Sequence, residues 1–157
     1  MKSKRLDKLG KINRDKTLSF TWDNKQLKGF EGDSLASALL ANNISIVGRS
    51  FKYHRPRGIF SSGVEESGAL VTIGSKDRRD PNVRATTQEL YNGLEASGQN
   101  AFPNVNFDLG GINNYIGRFF AAGFYYKTFM GIPPFEWGKG TTIWMLFEKL
   151  IRKAAGM

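Results

Sequence analysis

Four fixed cations, Arg49, Lys52, Arg55 and Arg57, and the chain's only histidine, His54, fall within the stretch VGRSFKYHRPRGIFSSG (47–63). No acid interrupts them. Phe51 and Tyr53 alternate with the basic residues, and Pro56 and Gly58 break any regular element. Arginines beside aromatics suit single-stranded nucleic acid, through backbone charge and base stacking. They equally suit a cofactor phosphate or an acidic partner surface, through paired charge-assisted hydrogen bonds. A solvated basic loop is the third reading, and residue types alone leave the three open.

Other chemistry is thinly represented. Neighbouring positive charges disfavour an imidazolium, so His54 is expected as a neutral, hydrogen-bonding residue rather than a general base. The absence of cysteine removes disulfides, thiolate zinc sites, cysteine-held clusters and thiol catalysis. No set of His, Asp and Glu has metal-ligand spacing, so neither a metal nor a catalytic set is expected. GKGTT (138–142) fails as a phosphate loop, because Pro133 stands where the first glycine is required and Gly140 follows Lys139. It fails as a dinucleotide fingerprint too, since Ile143 occupies the third glycine position. The adjacent carboxylates Glu65 and Glu66 read as the solvated rim of a loop.

Net charge is +9, and residues 1–28 carry nine Lys or Arg against three Asp. Such a balance favours polyanions without choosing among them. Apolar residues make up 40%, enough for a globular fold. There is no secretory h-region behind the charged start, and FFAAGFYY (119–126) is too short to span a bilayer. A cytoplasmic location is expected.

These residues must be held by a small set of elements. Residues 1–15 read as a basic arm or a first edge strand. TLSFTWD (17–23) alternates Leu18, Phe20 and Trp22 with polar residues, at strand period. DNK (23–25) is turn chemistry and QLKGF (26–30) the returning strand. EGDSLASALLANN (31–43) places Asp33 or Ser34 as a helix cap before Leu35, Ala38 and Leu39. ISIV (44–47), GALVTIG (68–74) and VRATTQEL (83–90) read as strands. A hairpin and then a helix across a mixed sheet predicts an α+β fold of β-grasp type over 16–90. Residues 91–157 read as an aromatic-rich, partly helical arm, with helices over 111–121 and 140–154. Ten aromatics lie between Phe119 and Phe147, more than so small a core covers, so this arm is expected to dock on other domains or subunits.

VGRSFKYHRPRGIFSSGVEESGALVTIG (47–74), VRATTQELYNGLEASGQNAFP (83–103) and AGFYYKTFM (122–130) closely resemble the N-terminal region of the alpha subunit of heterotetrameric sarcosine oxidase. The resemblance covers about residues 12–157, and the LIRKAAGM ending resembles the lead into that subunit's dinucleotide-binding domain. It implies a ferredoxin-like β-grasp domain. Related subunits hold a [2Fe–2S] cluster through a PRG-x-F-C-x4-C-x2-C-L-V pattern and a later VRAC. Laid on this chain, that pattern puts Ser61, Glu66 and Ala69 at the first three ligand positions and Thr86 at the fourth. All four thiolates are missing, so the resemblance implies a retained fold and a lost cluster.

It further implies an assembly that oxidatively demethylates sarcosine or a related N-methyl amine, using O2 and tetrahydrofolate. The products are glycine, methylenetetrahydrofolate and hydrogen peroxide. NAD and the folate would bind the remaining dinucleotide- and folate-binding domains of the alpha subunit. A beta subunit would carry FAD and FMN, with small gamma and delta subunits alongside, the delta subunit holding zinc. No cofactor is expected in this chain. Arg49, Lys52, Tyr53, His54, Arg55 and Arg57 are then expected at an interface, near a protein partner or a flavin phosphate. A stand-alone module binding single-stranded nucleic acid is the alternative.

Overall fold

Leu18, Phe20 and Trp22 lie on one face of a long first strand, with Phe20 and Trp22 buried. The structure, a computed structural model, describes residues 5–117 together with 148, 149 and 152. Strand β1 (Asn13–Trp22) pairs antiparallel with β2 (Lys25–Glu31) through a two-residue turn. Asp23 and Asn24 both take positive φ, 45° and 64°. That twist matches the strands it joins, and Asn and Asp tolerate it better than other side-chain-bearing residues.

Helix α1 (Leu35–Ala41) follows. The Ser34 side chain caps it by accepting from the Ser37 N–H at 3.2 Å. Leu35, Ala36, Ala38 and Leu39 are its buried face. Strands β3 (Ile46–Arg49) and β4 (Pro56–Gly58) form a two-stranded ribbon. Strands β5 (Leu70–Ile73), β6 (Asp80–Arg84) and β7 (Leu94–Gly98) complete a five-stranded sheet of order β2-β1-β7-β5-β6. β7 runs parallel to β1, and the other pairings are antiparallel. The core joins Phe20 and Trp22 to Leu35, Leu39, Val47, Val71, Leu90 and Leu94. Each fully buried large side chain of this kind contributes roughly 1.5–3 kcal/mol. The architecture is the expected α+β, ferredoxin-like one.

Three expectations need correction. The strand placed at 83–90 is Asp80–Arg84, and the residues after it leave the sheet to serve the helix. Leu35 N–H donates to the Gln88 carbonyl and Ala36 N–H to that of Ala85, both at 2.8 Å, satisfying donors at the start of α1. The strand that closes the sheet, β7, lies beyond residue 90, inside the stretch read as an arm. The stretch after ISIV, read as loop, is partly strand: Arg49 ends β3 and Arg57 sits in β4. Pro56 is tolerated there because β4 is a sheet edge.

Past the sheet, a 3₁₀ turn (Leu109–Ile112) leads into a short helix α2 (Asn113–Ile116). Of the helix expected over 111–121, Asn113–Ile116 is α-helical and residues 118–121 lie outside the described residues. Of that over 140–154, residues 148, 149 and 152 are helical and the rest lies outside the described residues. The ten aromatics of 119–147 and GIPPFEWGKG also lie there. No helix among the described residues is long and apolar enough to cross a membrane.

Candidate functional site

Two loops carry the residues that the sequence singles out. The first joins β3 to β4. Arg49 turns its guanidinium inward, donating from Nε and Nη2 to the Val105 carbonyl at 2.9 and 2.7 Å, and from Nη1 to the His54 carbonyl at 3.2 Å. His54 itself takes φ 52°. Its Nδ1 sits 2.8 Å from Asp108 Oδ2, and its ring lies against Gly110, where any Cβ would collide with it. Burial pushes the Asp108 carboxyl up. N–H bonds from Phe102 and Gly110, and the His54 hydrogen bond, pull it further down, so it ends below the ordinary carboxylate range.

Arg49 and His54 therefore bind the loop to its own domain. The fold supplies a carboxylate from 54 residues away. A weak signal for Asp108 exists in DLGG, since an Asp before glycines caps a turn, and its Oδ1 does accept from the Gly110 N–H at 3.1 Å. Lys52 and Arg55 lie over the Tyr53 ring, 4.7 and 4.6 Å from its centroid. Arg55 and Arg57 are exposed. Arg57 borders a cleft of about 350 Å³ shared with Ser50, Gly68, Gln99 and Asn100.

The second loop joins β4 to β5 and holds three of the four positions matched to cluster ligands. Glu66 is 2% exposed, so the solvated-rim expectation fails for it; Glu65 beside it is exposed as expected. The Glu66 carboxylate turns into the loop. Oε2 accepts from the N–H groups of Phe60 and Ser61, each at 2.7 Å, and Oε1 from those of Gly68 at 2.5 Å and Ala69 at 3.1 Å. The Ser61 hydroxyl lies 3.4 Å from Oε2. Thr86, from the segment after β6, donates to the Gly63 carbonyl at 2.8 Å, and Arg84 Nε to the Glu66 carbonyl at 3.2 Å. Gly68 permits the loop to close, because a Cβ there would stand 2.8 Å from the Gly58 carbonyl.

The N–H groups of Ser61 and Ala69, with those of Phe60 and Gly68, thus converge on the Glu66 carboxylate, and Thr86 holds the Gly63 carbonyl in the turn leading to it. Burial alone would raise the Glu66 carboxyl. The four backbone N–H bonds outweigh it and hold the group down at about 2. A carboxylate so fully engaged by backbone N–H groups is a structural anchor for the loop, not a proton donor or acceptor for chemistry. Among the described residues, no group of three or more His, Cys, Asp or Glu could hold a metal ion.

The sheet order, the crossing helix and this loop define a ferredoxin-like domain. Residues 15–101 match the model of the 2Fe-2S iron-sulfur cluster binding domain, and the chain belongs to that family. It is also similar to named proteins. Sarcosine oxidase subunit alpha of Rhizobium meliloti (strain 1021) is 54% identical over all 157 residues. The proteins of the same name from Corynebacterium strains U-96 and P-1 are 48% and 46% identical over 90 residues, 55% of this chain. The chain spans 15% of the length of the Rhizobium protein and 9% of each Corynebacterium protein. A crystal structure of L-proline dehydrogenase from P.horikoshii aligns with 55% of this chain and 16% of its own, at 25% identity and a TM-score of 0.45.

The cluster named by the family does not fit the residues present. It requires four thiolates or their imidazole substitutes. The chain has no cysteine and a single histidine, and the Glu66 carboxylate in this loop is already bound by backbone N–H groups. Anaerobic incubation with ferrous iron and sulfide should leave the chain colourless and free of iron after desalting. Stoichiometric iron with visible absorbance would contradict this.

Proposed function

We propose that this chain is the cluster-less N-terminal domain of a sarcosine-oxidase-type alpha subunit, serving structure and docking within a multi-subunit flavoenzyme. The observation that carries this reading is the 54% identity over the whole chain to the Rhizobium subunit. The chemistry then resides elsewhere. NAD and tetrahydrofolate belong to the further alpha-subunit domains, and FAD and FMN to the beta subunit. Gamma and delta subunits complete the assembly, in the cytoplasm. Sarcosine or a related N-methyl amine is oxidised there to glycine, with methylenetetrahydrofolate and hydrogen peroxide. The absence of a glycine fingerprint for a pyrophosphate in this chain agrees with that division.

Within this reading, the docking face includes Arg55 and Arg57 and the loop beside them. Arg49 and His54 are occupied internally, whereas Arg55 and Arg57 are exposed. Phe60 is 82% and Val64 72% exposed on the neighbouring loop. Exposed arginines beside exposed apolar side chains suit a partner surface bearing carboxylates or a cofactor phosphate. The doubly substituted Arg55→Ala, Arg57→Ala protein, expressed with its neighbouring subunits, should lose co-purifying flavin while its thermal midpoint moves by less than about 2 °C. A fallen midpoint with partner and flavin at wild-type levels would make the loop purely structural. Salt-dependent binding of single-stranded DNA, abolished by the same changes, would favour the nucleic-acid alternative instead.

A further inference from the structure

We infer that the loop from Phe60 to Ala69 is an anion receptor whose built-in occupant is the Glu66 carboxylate. This carboxylate fills the negative charge at the place where the family carries its cluster. The inference rests on the geometry of this loop and, for its relation to a cluster, on the ligand positions that the resemblance implies; it is independent of which amine the assembly oxidises.

Four backbone N–H groups, from Phe60, Ser61, Gly68 and Ala69, point at one carboxylate from two sides. They come from segments separated in sequence and brought together by closure of the loop. Such convergence of successive main-chain N–H groups is a concave anion site. Iron–sulfur clusters are anionic and are tuned by hydrogen bonds to their sulfurs. A loop shaped around that charge, with its thiolates gone, would bury several unpaired donors. Glu66 stands at one of the lost ligand positions and supplies the missing acceptor from within the chain. Its neighbours conform: Ser61 and Ala69, at two other such positions, are themselves among the donors. Thr86, at the fourth, no longer points to a ligand but fixes the Gly63 carbonyl.

The receptor reading makes a demand that simple loop packing does not: the occupant must be an acceptor on both sides. Glu66→Gln keeps the shape but turns an NH₂ group toward one pair of N–H donors. Its thermal midpoint should fall by about 8 °C or more. Glu66→Ala should fall at least as far, and the vacated cradle should admit a small carboxylate. Formate at tens of millimolar should then raise the Glu66→Ala midpoint saturably. Sodium chloride at equal ionic strength should not, and the wild-type protein should not respond to formate. Labelled formate should show exchange broadening by NMR with Glu66→Ala and none with wild type.

A wild-type midpoint for Glu66→Gln would overturn the proposal, since shape alone would then suffice. So would a Glu66→Ala protein that responds equally to formate and chloride. If Glu66→Ala does not fold, Glu66→Gln alone decides, by the same midpoint criterion.

Discussion

Asp33→Ala should lower the unfolding free energy of this chain by about 3–5 kcal/mol, the usual cost of breaking a buried ion pair from one side. At roughly 4 °C per kcal/mol, the thermal midpoint falls by about 12–20 °C. Asp33 sits just before α1, with its side chain wholly buried. Its carboxylate receives both terminal nitrogens of Arg5, at 2.9 and 2.7 Å, the Ser37 hydroxyl at 2.7 Å and the Phe30 N–H at 2.9 Å. One residue therefore ties the N-terminal segment, the end of β2 and the first turn of α1 together. Truncation removes the two-pronged acceptor of Arg5 and leaves the Phe30 N–H and the Ser37 hydroxyl without this carboxylate. Asp33→Asn should recover part of the loss, because it restores one oxygen. Asp77→Ala, on an exposed turn, should shift stability by less than about 0.5 kcal/mol and serves as the control. A loss below about 1 kcal/mol in Asp33→Ala would show that Arg5 and the loop find other partners.

The second large effect is acid sensitivity. Glu66 titrates at about 2 in the folded chain, against an ordinary value of 4.5. Above pH 4.5 the carboxylate is charged in both folded and unfolded states, and its stabilisation is complete. As pH falls from 4.5 toward about 2, the unfolded chain takes up the proton first, and that stabilisation is progressively lost. Asp33 and Asp108 are also held below their ordinary value of 3.8. For Asp33, burial acts upward and is outweighed by the bonds from Arg5, Ser37 and the Phe30 N–H. Both add loss in the same direction. Asp23 works against them: its burial outweighs the Gly98 N–H bond and raises it, so its protonation on acidification favours the folded state. The thermal midpoint should hold nearly level above about pH 5 and drop steeply below pH 4. Glu66→Gln should start lower and fall less over that interval. A wild-type midpoint unchanged down to pH 2.5 would refute the role given to these carboxylates.

The local elements were legible where periodicity and turn chemistry agree. Leu18, Phe20 and Trp22 announced β1, Asp23-Asn24 its turn, and Asp33 or Ser34 the helix cap, of which the fold uses Ser34. Strand β7 was not legible. LEASG offers only Leu94 and Ala96 as inward residues, and it becomes a central strand through parallel pairing with β1, some 70 positions away. The opposite error at 83–90 has a related cause. ATTQ is fit for a strand by composition, but its carbonyls are taken by the first N–H groups of α1.

The sequence by itself determined the α+β class, the cationic character of 49–57 and, through the missing cysteines, that the matched positions cannot ligate a cluster. Those conclusions depend on residue type and short spacing alone. Only the tertiary structure decided which side chains of this stretch are committed inward, since the Val105 carbonyl that Arg49 meets and the Asp108 carboxylate that His54 meets lie more than 50 residues further on. Only it decided the state of Glu66. A carboxylate beside another in sequence looks solvated. Four N–H groups gathered by loop closure make burial of its charge favourable, and that convergence has no local signature.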